Sequence, residues 1–272
     1  MSAGSVRVAC VQMASGPNVE GNLNEAQRLL EMAARQKARL VLLPENFAHM
    51  GMTETEKLGL AEADGEGSIQ SFLQRCARQY GIWLIAGSVP LQGSLPERVR
   101  QACLVYDDRG ERVARYDKIH LFGLDLGNEH YREADTIEPG NTVVVLDSPF
   151  GRIGLSVCYD LRFPELYRAM GRVDMIVLPA AFTETTGRAH WEALIRARAI
   201  ENLAYVLAAA QGGYHVSGRE THGDSMIVDP WGVVLDRLPR GSGVVVAAIN
   251  PAYQTSLRGS LPALDHRVIH QC

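Results

Sequence analysis

Residues 151–171 read GRIGLSVCYDLRFPELYRAMG, and this stretch decides the fold. Ile153, Leu155 and Val157 alternate with small residues after the turn Pro149-Phe150-Gly151, the pattern of a short buried strand. Cys158 ends that strand. Pro164 falls in the first turn of a helical pattern, where a missing backbone N–H costs little, and Leu166, Ala169 and Met170 supply the apolar face of that helix. The stretch predicts strand, sharp turn and helix, with a thiol at the carboxyl end of a strand. Such a thiol would meet the N–H groups and positive dipole end of the helix, which favours thiolate over thiol. A buried structural cysteine is the competing reading.

Upstream, Val6 to Met13 predicts a strand, and Glu20 to Lys37 a helix with Leu23, Ala26, Leu30 and Ala33 at helical spacing. Leu40-Val41-Leu42-Leu43 reads as a strand covered on both faces, and it stops at Pro44-Glu45-Asn46-Phe47. A glutamate directly after a buried strand is either a loop cap or a functional acid or base. Downstream, Met175 to Leu178 is another doubly covered strand, closed by Pro179-Ala180-Ala181-Phe182. VLLPENF at 41–47 and IVLPAAF at 176–182 echo each other, each after a strand-helix unit, so both halves predict right-handed βαβ units. Glu45, Cys158 and Phe182 would then converge at the sheet edge where α/β proteins bind ligands.

Between these units, residues 68–80 predict a helix, Trp83 to Val89 and Val99 to Asp107 strands, and Val113 to Tyr116 a strand returning from a hairpin turn at 107–110. This delivers Lys118 to a strand end. The segment 119–140 lacks periodicity and reads as a long functional loop. His190 to Asn202 predicts a helix, with strands at Tyr205 to Ala210, Gly223 to Asp229 and Val244 to Asn250. The tail 253–272 shows little core pattern and is expected on the surface or against a second subunit.

The 272 residues, 46% hydrophobic and 21% charged, suffice for a large core, and no break in composition divides 1–272 into two domains. A net charge of -4 without a Lys/Arg run speaks against nucleic acid or an anionic membrane as partner. The five cysteines, Cys10, Cys76, Cys103, Cys158 and Cys272, contain no CxxC pair, and the histidines show no ligand spacing, so no disulfide framework and no metal site is predicted. Phosphate-binding glycine motifs are absent and no cofactor is expected. With neither a signal pattern nor an apolar span, the chain reads as soluble and cytoplasmic.

A cysteine on an elbow, a glutamate after a buried strand and a lysine opening a loop fit one mechanism. Glu45 takes the Cys158 proton and the sulfur attacks an amide or nitrile carbon. Lys118 and the Tyr159 N–H stabilise the oxyanion, a contribution of roughly 10²- to 10³-fold. Glu45 then protonates departing ammonia and activates water against the thioester, while Glu133 keeps Lys118 charged. Two other classes compete: a Cys-His hydrolase using His190 or His222, and a non-catalytic binding scaffold.

LLPENF around Glu45, YDKIHLF around Lys118 and GLSVCYDLRFPEL around Cys158 resemble, in order and spacing, the three signature segments of the nitrilase, or carbon-nitrogen hydrolase, superfamily. The resemblance spans nearly the whole chain. It implies a Glu-Lys-Cys catalytic triad, with Glu133 in READTIEPG matching a fourth member. The implied fold is a four-layer αββα sandwich, extended to αββααββα in a homodimer that could pair again into a homotetramer. CYDLRFPEL, PAAFT, AHWEALIRARAIEN and GDSMIVDPWG most resemble the branch of amidases acting on deaminated glutathione, with ω-amidases acting on α-ketoglutaramate nearby. A primary amide hydrolysed to a carboxylate and ammonia is therefore the expected reaction. Arg162 and Phe163 are expected as a cation for a substrate carboxylate and an apolar wall beside the thiol, with Phe182 and Thr183 framing the pocket. Gly123 stands where an acidic residue is expected after HLF, which bears on substrate choice.

Overall fold

The computed structural model describes residues 4–127 and 129–269, so Cys272 and the last residues of the tail lie outside it. In chain order the first half carries β1 (Val6–Gln12), α1 (Val19–Arg35), β2 (Leu40–Leu42), α2 (Ser68–Tyr80), β3 (Trp83–Gln92), β4 (Val99–Tyr106) and β5 (Arg112–Asp117). A small hairpin follows, β6 (Gly123–Leu126) and β7 (Glu129–Arg132). The second half carries β8 (Val145–Ser148), β9 (Gly151–Leu155), α3 (Pro164–Ala169), β10 (Met175–Ala180), α4 (Glu184–Asn202) and β11 (Tyr205–Ala210). It closes with β12 (Gly212–Tyr214), β13 (Glu220–His222), β14 (Ser225–Val228), β15 (Val234–Leu238), β16 (Gly243–Ile249) and α5 (Pro251–Ser260).

The strands form two six-stranded sheets, ordered β16-β1-β2-β3-β4-β5 and β15-β14-β11-β10-β9-β8. Both have the same plan. Three parallel strands lie at the centre, β1-β2-β3 in one and β9-β10-β11 in the other, and antiparallel strands flank them. The echo between 41–47 and 176–182 thus marks equivalent positions in two equivalent sheets.

Period-2 alternation builds the layers. On one face of the first sheet, Ala9, Val11, Val41, Leu43, Leu84 and Leu104 pack with α1 and α2, through residues such as Leu30 and Phe72. Their neighbours Val8, Cys10, Leu40, Leu42, Ile85 and Val105 belong to the core shared with the second sheet, which also includes Trp191 and Ile195 of α4. The result is the expected four-layer αββα sandwich.

Three expectations change. Residues 119–140 are not one loop: β6 and β7 pair, and a 3-10 turn follows at Glu133–Asp135. The hairpin is short and largely exposed at Asp125 and Leu126, so it has no burial pattern for periodicity to reveal. Helix α4 begins at Glu184 rather than His190, capped by the Thr183 hydroxyl, which accepts from Thr186 N. The tail has internal partners: α5 buries Gln254, which donates to the carbonyls of Asp174 and Leu203, and Arg258 pairs with Asp174. These contacts are polar, which is why hydrophobic patterning missed them. Among the described residues no helix is long and apolar enough to cross a membrane.

Candidate active site

Both βαβ units end at the same edge of the sandwich. Glu45 follows β2, is 2% exposed, and is held through its backbone: Gln211 Nε2 donates to its carbonyl at 3.0 Å. Its neighbour Asn46 sits at φ 57, with its N–H donating to Ser88 Oγ at 3.0 Å. Lys118 leaves β5 with its N–H donating to the Gln101 carbonyl at 3.0 Å, and its side chain is fully buried.

The Lys118 ammonium sits between two carboxylates. Nζ is 2.9 Å from Glu45 Oε1, 2.9 Å from Glu133 Oε1 and 2.7 Å from Glu133 Oε2. Glu133 is also fixed by the Phe122 N–H, which donates to Oε2 at 2.7 Å. Burial alone would lower Lys118, but Glu133 and Glu45 hold it well above the usual lysine range, so it stays charged.

Cys158 lies in the left-handed region at φ 49, a conformation costing about 1–2 kcal/mol outside glycine. Asp160 holds it there. The fully buried Asp160 carboxylate accepts from Val157 N at 2.8 Å, the Tyr116 hydroxyl at 2.7 Å and His120 N at 3.0 Å. The thiol sulfur in turn accepts from the Ala181 N–H at 3.5 Å. Such an elbow aims a nucleophile into a cavity rather than into the core.

The thiolate expectation is overturned. Burial pushes the Cys158 thiol well above its usual range, and the Glu45 carboxylate adds to this more than the Lys118 ammonium offsets. Residues 158–162 are a single 3-10 turn, too short to offer the dipole of a long helix. Burial and the adjacent Glu45 carboxylate outweigh the Lys118 ammonium at the sulfur. The resting side chain is a thiol beside a base.

Cys158 opens into a narrow cavity also lined by Glu45, Glu133, Tyr159, Arg162, Phe182 and Thr183. Two of the residues expected at the site are not in this lining: Lys118 lies behind Glu45 and Glu133, bonded to both, and Phe163 stacks on the His120 ring at 3.7 Å and 7°. Phe122, not singled out from the sequence, supplies the aromatic wall that was expected of Phe163. Arg162 lies over the Phe182 ring at 5.1 Å and contacts His190 Nδ1 at 3.2 Å. His222 pairs with Glu184 at 3.0 Å. Neither histidine lines the cavity, so a Cys-His pair has no geometric support. Sequence reading also missed the Ala181 N–H and Arg219, which have no motif because backbone groups and loop residues carry none.

A layered α/β hydrolase with a buried thiol beside a carboxylate-lysine-carboxylate cluster is the class that this fold and site define. The carbon-nitrogen hydrolase family model matches residues 7–258. The deaminated glutathione amidase of Synechocystis sp. is 44% identical over 268 residues, covering 96% of this chain and 97% of that protein. The Yersinia enterocolitica protein of the same name is 39% identical, covering 96% and 93%. The crystal structure of the C. elegans NitFhit protein matches with a TM-score of 0.90 at 37% identity, over 98% of this chain and 66% of that one. The chain belongs to the carbon-nitrogen hydrolase family, within the nitrilase superfamily. It is an amidase acting on a non-peptide C–N bond.

Proposed function

We propose that the chain hydrolyses the amide of deaminated glutathione through a thioester on Cys158. The observation that carries the chemistry is that Glu45 and Glu133, bridged by the Lys118 ammonium, line one cavity with Cys158. Glu45 takes the thiol proton as the sulfur–carbon bond forms, and the carbonyl electron pair moves onto an oxyanion faced by Lys118 and the Tyr159 N–H. Collapse breaks the C–N bond, with Glu45 returning the proton to the leaving nitrogen. Water then attacks the thioester with Glu45 as base, releasing the acid and restoring the thiol. Glu133 anchors Lys118 through both oxygens and takes no proton.

Arg162 supplies a cation for the α-keto acid end of the substrate, and Phe122, Phe182 and Thr183 shape the walls. The scissile amide of deaminated glutathione is secondary, so the leaving group is the amine of cysteinylglycine; the ammonia expected from the sequence applies to primary amides such as α-ketoglutaramate. Competition between these two amides at equal concentration tests the substrate. Faster consumption of deaminated glutathione is expected, with negligible action on nitriles; prior consumption of α-ketoglutaramate would make the ω-amidase the better reading and turn attention to Gly123.

We read the enzyme as a cytoplasmic homodimer. Unpaired Cys10, Cys76, Cys103 and Cys158 suit a reducing compartment. Exposed Ile200, beside Gly232 and the exposed Trp231 and Val233, offers apolar surface that a second copy would cover. Light scattering at micromolar concentration checks this, and a monomeric mass contradicts it.

A further inference from the structure

Beside the narrow cavity at Cys158 lies a wider one of about 470 Å³, walled by residues 46–57 on one side and 217–220 on the other. Gln101, His49 and Arg219 all line it, and each has a buried polar atom without a hydrogen-bond partner: Gln101 Oε1, His49 Nε2 and Arg219 Nε. Native structures leave few such atoms; His49 Nε2 still faces Glu56 Oε2 at 3.5 Å, so the two on Gln101 and Arg219 are the ones that point to a ligand. Gln101 is 2% exposed and its Nε2 is committed to Asn46 Oδ1 at 3.0 Å, so its carbonyl oxygen is the end awaiting a donor.

Arg219 joins the two cavities. It lines both, and its Nη2 donates at 2.8 Å to the carbonyl of Ala181, whose N–H reaches the Cys158 sulfur. Among the described residues no carboxylate pairs with Arg219. The carboxylates of the wider cavity are paired with other cations, Glu54 with Lys57 at 2.6 Å and Glu220 with Arg240 at 3.0 Å, so the Arg219 guanidinium is held by the Ala181 carbonyl and the Tyr131 ring rather than by a carboxylate.

The direction of the reaction assigns the space. Glu45 must face the nitrogen it protonates, and the next residue, Asn46, is a wall of the wider cavity. Arg162, Phe182 and Thr183 line only the narrow one. The acyl group then belongs beside Cys158 and the departing amine towards Gln101 and Arg219.

We propose that the wider cavity is a leaving-group subsite for a peptide-like amine, with Arg219 taking its terminal carboxylate and Gln101 Oε1 accepting its amide N–H. When the C–N bond breaks and the nitrogen takes its proton from Glu45, the amine is released from this subsite with its carboxylate intact. The proposal rests on amide hydrolysis at Cys158 but not on a particular acyl group.

The test is a set of amides sharing one acyl group that the enzyme turns over, with cysteinylglycine, cysteinylglycinamide or ammonia as leaving group. For the wild-type enzyme, kcat/KM should be at least about 10-fold higher with the carboxylate than with the carboxamide, the effect of losing one charge-assisted hydrogen bond. In Arg219→Gln that ratio should fall to within about 2-fold. The wild-type ratio needs no variant, so the test survives a poorly folding Arg219→Gln. A wild-type ratio near one, a ratio that persists in Arg219→Gln, or cleavage of ammonia-releasing amides only would each overturn the subsite. If the carboxylate preference appears on some other acyl group while deaminated glutathione is not cleaved, the subsite stands and the substrate reading fails.

Discussion

The Tyr116 hydroxyl donates to Asp160 Oδ2 at 2.7 Å, joining the strand that delivers Lys118 to the elbow that carries Cys158. Each residue lies two positions from the group it places. Losing the hydroxyl in Tyr116→Phe should cost about 1–3 kcal/mol, since a buried carboxylate loses one of its donors. Asp160→Asn should do more, because an amide cannot accept all the hydrogen bonds a carboxylate accepts. Its kcat should fall at least about 10-fold with KM little changed, as expected for a displaced nucleophile. Circular dichroism should show a native fold. Wild-type kcat in Asp160→Asn would contradict the positioning role.

Removing the reacting groups separates chemistry from stability. Cys158→Ala should abolish turnover, and Glu45→Gln should lower it by at least roughly 10²-fold with little unfolding. Lys118→Ala should lose at least roughly 10²-fold in rate and also about 3–5 kcal/mol in stability, because it leaves the buried Glu45 carboxylate and the half-buried Glu133 carboxylate without their shared cation. Urea denaturation alongside kinetics distinguishes the two effects. Turnover of Glu45→Gln at the wild-type rate would remove Glu45 from the mechanism.

The pH dependence of alkylation reports the state of the thiol. With burial and Glu45 holding Cys158 well above the usual thiol range, its reaction with iodoacetamide should be slow at pH 7 and still rising beyond pH 9. A plateau reached below pH 8 would show instead a resting thiolate.

Gly87 sets the position of Glu45 from a neighbouring strand. A Cβ at Gly87 would overlap the carbonyl of Pro44, the residue before Glu45. Gly87→Ala should therefore cost about 1–3 kcal/mol and reduce kcat, since a shift of about 1 Å at a catalytic group is worth up to about 10²-fold. Calorimetry and kinetics on one variant check both; unchanged values would mean that the strands separate freely.

Stability should weaken in mild acid. His215 is buried between the Ser15 carbonyl and Thr221 Oγ1, each at 2.7 Å, and burial lowers its affinity for a proton. Burial lowers His49 likewise. As pH falls below about 6.5 the unfolded chain takes up protons that the folded chain refuses, so stability declines until the lowered folded values are passed. The slope of Tm against pH between 7 and 5.5 should be flatter in His215→Asn than in the wild type. Equal slopes would assign the decline to other groups.

The sequence by itself determined the elements with large apolar repeats and the order of the reactive residues. Helix 68–80 and strand 205–210 fall where their patterns place them, and Glu45, Lys118 and Cys158 each follow a strand, with a buried run before Glu45 and Cys158. Periodicity is a local property, so it survives in a single sequence. What the tertiary structure decided are the groups whose partners are far along the chain. The ammonium of Lys118 meets carboxylates 73 and 15 residues away, and burial together with the Glu45 carboxylate keeps Cys158 a thiol although its local setting suggested a thiolate. Phe163 turned to stack on His120, α5 found polar partners through Gln254, and the Ala181 N–H came to the sulfur from the other unit. Desolvation and Coulomb interactions depend on distance in space, and only the folded chain sets that distance.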